Sequence, residues 1–171
     1  LLAVSLQEFP RRLVEDYVLS RLQHDADLLY VRIHDAADPV SFFVEACDAK
    51  LGLAADLGHP TDLVRQRLAN SHGLILESNY CPDMLRRSSY PPMIRQRING
   101  RQGHLSNHDA SKLLAHVLHD FLRVVVLVHI SEENNTKELA HSVAARAMNG
   151  HAAQLHVAWQ DRPTPVFEVC A

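Results

Sequence analysis

An α/β layered domain is the fold class this chain predicts, on three observations. Short runs rich in Leu, Ile and Val (Leu28–Ile33, Val40–Cys47, Leu51–Ala55, Gly73–Glu77, Val124–Val128) have the length of strands rather than helices. Segments with apolar residues at helical spacing fall between most of them, and strands alternating with helices build mixed layers around one core. No internal repeat or low-complexity linker interrupts the alternation, so the 171 residues read as one domain, 1–171.

Each element has a local reason. Leu1 to Gln23 reads as one or two amphipathic helices: Leu13, Val14, Tyr17, Val18 and Leu22 recur at helical spacing, and Pro10 suits a first turn. From Leu28 the period shortens into a β-prone run that stops at His34. Val40–Cys47 and Leu51–Ala55, joined through Asp48-Ala49-Lys50, read as a hairpin. Thr61 can cap a helix through Leu68 by accepting from a free first-turn N–H. Gly73–Glu77 is a buried strand by composition. Tyr80 to Gly103 carries Pro82, Pro91, Pro92, Gly100 and Gly103, the makings of a long functional loop interrupted by short helices. Ser106 or Asn107 caps a helix to about Asp120, with Leu113, Leu114, Val117 and Leu118 inward. Val124–Val128 is the most strand-like run and stops at His129. Asn134-Asn135 opens a helix to about Met148, and strands at Leu155–Trp159 and Val166–Val169 close the chain.

Composition narrows the class. Apolar residues make up 47% and charged residues 22%, ordinary for a globular chain, and a net charge of -3 supplies no global basic field for nucleic acid. Cys47, Cys81 and Cys170 are odd in number and far apart, which fits a reducing compartment better than a disulfide framework or a cysteine zinc site. No apolar run approaches the roughly 20 residues that span a bilayer, and no signal core opens the chain, so no membrane association and a cytoplasmic location are the expectations. A first residue that is Leu rather than Met suggests a fragment. Twelve histidines are many for this length, and they form no tract.

Three polar residues, His34, Asp56 and His129, stand where apolar runs stop. Strand ends on one sheet edge can bring distant residues together, and imidazole with carboxylate suits zinc, manganese or iron. An Asp between two such histidines can bridge two cations, an arrangement used to hydrolyse phosphoesters or esters. Each also has a plain reading: Asp56 shaping a turn before Gly58, or a hydrogen-bonded histidine at a strand end. His116 and His119 lie on a helix beside its core face and read as structural.

The words His34-Asp35-Ala36-Ala37-Asp38-Pro39, Ala55-Asp56-Leu57-Gly58, Leu76-Glu77-Ser78-Asn79, Gly103-His104-Leu105-Ser106-Asn107 and Val128-His129-Ile130-Ser131 with Asn134-Asn135 come in an order that resembles the YycJ/WalJ family of metallo-β-lactamase-fold proteins. The resemblance runs from about Asp27 to Val169 and includes Thr164-Pro165. It implies the C-terminal part of an αββα sandwich, with His34 and His129 as metal ligands and Asp56 as the bridging carboxylate. It also implies a divalent metal, zinc or manganese, with two ions in the complete domain. The family's earlier His-x-His-x-Asp-His motif is absent from this chain; His24-Asp25 and His116-Val117-Leu118-His119 do not match it. A domain cut there leaves one sheet without its partner, which predicts aggregation or dimerisation of the chain alone. Tyr80-Cys81 stands where the family often has His-Asp, and Cys81 reads as an extra ligand or a plain loop residue.

On the substrate side, Asn79 follows from the resemblance. His104, as the catalytic candidate, together with Ser106 and Asn107 precedes or opens a helix whose free N–H groups suit a phosphate, although Ser106 or Asn107 equally reads as a cap. Arg86, Arg87, Arg95, Arg97 and Arg101 follow one another with no acid between, around Tyr90; they read as contacts to a nucleic-acid backbone, Arg95 and Arg97 foremost, or as a solvated face. The resemblance implies a nuclease, an exonuclease on DNA. A small-molecule phosphoester or ester hydrolase of the same superfamily and a truncated, inactive or binding chain are the alternatives.

Overall fold

A computed structural model describes residues 2–4, 40–46 and 48–169. The elements are β1 (Leu2–Val4), β2 (Val40–Ala46), β3 (Ala49–Ala55), α1 (Asp62–Leu68), β4 (Gly73–Glu77), α2 (Pro82–Arg87), α3 (Pro92–Ile98), α4 (Asn107–Val117), β5 (Val124–Val128), α5 (Lys137–Met148), β6 (Gln154–Val157) and β7 (Phe167–Val169). The expected α/β alternation is observed. The strand expected at Leu28–Ile33, with His34 at its end, lies outside the described residues, as does most of the expected helix at Leu1–Gln23. Leu2–Val4 departs from that helix: it is a strand, paired antiparallel with β7, and a partner far along the chain overrides its local pattern.

Five strands form the main sheet in the order β2-β3-β4-β5-β6. The β2–β3 hairpin is antiparallel, with Ala46 opposite Ala49, and Asp48 takes a left-handed backbone (φ 64°) at the turn. β3, β4, β5 and β6 run parallel, so all four C-terminal ends meet at one edge. Parallel strands are covered on both faces, which explains why β4 and β5 read as unbroken apolar runs and are buried at every position. Alternation divides them: Leu74, Leu76, Val125 and Leu127 join a core with Leu113 and Leu114 of α4 and Ala140, Ala144 and Met148 of α5. Ile75, Val124, Val126 and Val128 join Phe167 and Val169 of β7 on the opposite face. Among the described residues no helix is long and apolar enough to cross a membrane.

Caps set the helix limits. Thr61 accepts from Val64 N–H and opens α1 as expected. Ser106 accepts from Asp109 N–H at 3.1 Å and opens α4, which stops at Val117 rather than near Asp120. For α5 the cap is Thr136 and not Asn134 or Asn135, both of which are buried in the loop before it.

At the N-terminal edge of the sheet, histidines tie the incoming loops together. His72 Nδ1 accepts from Lys50 N–H at 3.0 Å, while the backbone N–H of His72 donates to Lys50 O at 2.7 Å. His119 Nε2 donates to Ser71 O at 3.0 Å, and its Nδ1 accepts from Phe121 N–H. His151 repeats the pattern, donating from Nε2 to His119 O and accepting from Ala153 N–H. A carbonyl only accepts and a backbone N–H only donates, so the partners fix both His119 and His151 with the proton on Nε2. His119 is thus structural as expected, although it lies two residues beyond the end of α4 rather than on the helix.

Candidate metal centre

Three of the parallel strands deliver an acid or imidazole to the C-terminal edge. Glu77 is the last residue of β4, while Asp56 and His129 are the first residues beyond β3 and β5. Asp56 (φ 52°) and His129 (φ 59°) both have left-handed backbone, a conformation that costs a non-glycine residue about 1–2 kcal/mol. It turns the chain sharply at the strand end and brings each side chain over the edge. His104 arrives from the loop before α4.

The four side chains converge: one ligand atom from each of Asp56, Glu77, His104 and His129 lies within 4.8 Å of the others. Glu77 Oε1 is 2.8 Å from Nδ1 of both His104 and His129. Asp56 Oδ1 is 3.3 Å from His104 Nδ1 and 3.5 Å from His129 Nδ1. The two rings meet edge to face with centroids 4.9 Å apart. Glu77 is wholly buried, and its second oxygen accepts from Leu57 N–H at 2.9 Å, with Leu105 N–H at 3.5 Å. The residues after Asp56 and after His104 therefore hold Glu77 by their backbones while Asp56 and His104 face it with their side chains. Burial alone pushes the Glu77 carboxyl up, but hydrogen bonds and charge from His104 and His129 outweigh it and hold the pKa below the ordinary value.

A buried carboxylate with one oxygen fixed by the backbone and the other turned towards two imidazoles, beside a second carboxylate, is a donor set that fits a divalent cation. From sequence, Glu77 reads as the end of a buried strand and not as a site residue. The signal is nevertheless present: Glu77 ends an apolar run as Asp56 and His129 follow theirs. His104, expected at a phosphate, stands within the cluster itself. His34 lies outside the described residues.

The remaining expected residues surround the cluster. Asn79 Nδ2 donates to His129 O at 2.8 Å, and its backbone joins Leu105 O and Ser131 N–H, so it fixes the exit of β5. Asn107 and Asn135 exchange amide hydrogen bonds at 2.8 Å, and Asn135 Nδ2 also reaches the carbonyls of Ser78 and Asn79 at 2.9 Å. Ser106 Oγ donates to Asp109 at 2.7 Å. Cys81 is half-buried at the start of α2, and its N–H donates to Asn134 O.

The arginine segment docks against the same edge. Gly58, two residues after Asp56, packs so tightly that a Cβ there would lie 2.3 Å from Arg101 O. A Cβ on Gly103 would lie 2.1 Å from Ile98 O. The Tyr80 hydroxyl donates to Asn99 at 2.7 Å; burial, with the charges of Asp109 and Glu77 adding, pushes its pKa up to about 12. Arg95 Nη1 donates to Arg86 O, and Arg97 is exposed.

No family model matches the chain. It is 32% identical over 139 residues to exodeoxyribonuclease YycJ of Bacillus anthracis, covering 78% of this chain and 53% of that protein. It is 35% identical over 108 residues to exodeoxyribonuclease WalJ of Streptococcus pneumoniae, covering 63% of this chain and 40% of that protein. The chain thus spans about half the length of these relatives, or less. Among solved structures it is similar to the metallo-β-lactamase fold protein YhfI of Bacillus subtilis, at 12% identity and a TM-score of 0.47, over 72% of this chain and 43% of that one.

Proposed function

Starting from this chain's homology to the proteins named exodeoxyribonuclease YycJ and WalJ, we propose that it is the C-terminal portion of a metallo-β-lactamase-fold, metal-dependent phosphodiesterase acting on DNA. The observation that carries the reading is the convergence of Asp56, Glu77, His104 and His129 at the C-terminal edge of the parallel strands. Binding at that edge is usual in open α/β sheets, because the loops leaving the strands meet there. Asp56 and His129 are the proposed ligands from this chain, with His34 joining them, and Asp56 bridging if two ions bind. A divalent cation supplies Lewis-acid polarisation of a phosphoryl oxygen.

The chain's own residues do the rest. Glu77 aligns both imidazoles through its Oε1 and is kept ionised by them. His104, at 2.8 Å from Glu77 and half-buried, is the proposed proton carrier at the leaving or attacking oxygen. Arg95 and Arg97 are proposed to bind backbone phosphates, their guanidinium groups matching phosphate oxygens. Asn79, Ser106 and Asn107 are proposed to serve the substrate by fixing the loops around it, since their polar groups bond within the protein.

The test is manganese or zinc titration by calorimetry, with degradation of end-labelled DNA in parallel. Binding should weaken at least about tenfold in Asp56→Ala and His129→Ala, a loss of about 1.4 kcal/mol. Arg95→Gln with Arg97→Gln should slow cleavage of DNA far more than of a small generic phosphodiester. A chain that binds neither cation, or one whose affinity is the same in His129→Ala, would remove the metal-dependent reading; equal losses on both substrates would remove the DNA reading alone.

A further inference from the structure

The segment after β6 carries the chain's one tryptophan past the metal centre. Ala158 N–H donates to Leu127 O at 2.8 Å, and Gln160 Nε2 donates to Ile130 O at 2.8 Å. Residues 158–160 therefore run beside the end of β5, the stretch that contains His129. Between those two anchors stands Trp159, 43% exposed. Lys137 Nζ lies 3.1 Å from its ring centroid and Arg162 Cζ lies 3.8 Å from it. Lys137 opens α5 two residues after Asn135, whose amide is tied to the carbonyls of Ser78 and Asn79. Ring and cations thus come from segments anchored to the site's own loops.

Two like charges gathered at one exposed indole repel each other, and the negative face of the ring is what draws both. Asp161 and Glu138 are their sequence neighbours, so the patch is no broad basic field. It offers one aromatic surface and two cationic donors, the pairing by which proteins hold single-stranded nucleic acid: a base stacks on the ring and its phosphate meets the cations. An exposed cation–π contact is weaker than base stacking, so an arriving base displaces a cation from the ring and frees it for the phosphate.

We propose that Trp159, Lys137 and Arg162 form a contact for single-stranded DNA beside the metal centre, distinct from the arginine segment. The proposal rests on the reading of this protein as a DNA-cleaving hydrolase.

Because Trp159 is the chain's one tryptophan, its emission in the full chain reports on this contact directly. Titration with oligodeoxythymidine, alongside anisotropy of a fluorescein-labelled strand, should give saturable quenching that follows binding. Trp159→Ala should weaken binding about tenfold, and Trp159→Phe should restore most of it. The Lys137→Gln, Arg162→Gln double variant should lower the slope of log affinity against log salt by about 1.4, about 0.7 for each phosphate no longer neutralised. Binding by anisotropy with unchanged emission and indifferent variants overturns the contact and leaves the DNA reading standing. An anisotropy that never rises overturns both.

Discussion

Glu77 shows how a single side chain can be both keystone and hazard. Its carboxylate is wholly buried, yet each oxygen has a partner: a backbone N–H on one side and two imidazoles on the other. A Glu77→Gln change keeps the shape but brings an amide donor to a site arranged for an acceptor. It should cost about 1–3 kcal/mol of stability in urea unfolding, the usual range for an unsatisfied buried group, and weaken cation binding as well. Unchanged unfolding and unchanged calorimetry would remove Glu77 from the centre. Asp56 and His129 are legible as candidates because each breaks an apolar run by its chemistry. Glu77 is easily overlooked because it counts as the last letter of a strand, and the amino acid string does not reveal that β3, β4 and β5 end level with one another. His104 is legible as functional, but its approach to Glu77, 27 residues away in sequence, is a product of packing.

At the scale of elements, the loops are held by close backbone approach as well as by the asparagine amides. The Gly103 position faces the carbonyls of Arg97 and Ile98, so Gly103→Ala must push the end of α3 away from the loop that carries His104. Strain of this kind typically costs about 1–3 kcal/mol. His104 and Glu77 should separate in a crystal structure of the variant, and an undisturbed 2.8 Å approach would contradict the account. Ser106→Ala should cost about 1 kcal/mol by removing the α4 cap, measured by thermal unfolding. Elements with a local cause are legible to the residue: β4, β5 and the Thr61 cap. Leu2–Val4 is not, because pairing with β7 decides it, and Asn134-Asn135 is not, because the Asn135 amide bonds to Asn107 and to the carbonyls of Ser78 and Asn79, and the cap falls to Thr136.

The whole molecule has two unlike edges, one gathering acids and imidazoles, the other stitched by histidines that accept backbone N–H bonds. A cation that binds only the folded chain should stabilise it by about 2.7 kcal/mol when present at 100 times its dissociation constant. The melting temperature should therefore fall on chelation in the native chain and fall clearly less in His129→Ala. Protons act at the other edge. Burial foremost, then the charges of His119, Arg123 and Lys50, hold the His72 pKa below 6.5. Folding thus favours neutral His72: its contribution is complete above about pH 6.5 and declines as pH falls from there towards the lowered folded value. A melting series from pH 7.5 to 5 should show that decline, and His72→Asn, whose amide oxygen can accept from Lys50 N–H without titrating, should flatten part of it. Acid sensitivity of this fold would accordingly arise at the edge stitched by histidines, on the side of the sheet away from Asp56, Glu77 and His129. A kineticist who fitted that loss of folded protein as a general base would be assigning to chemistry what belongs to architecture.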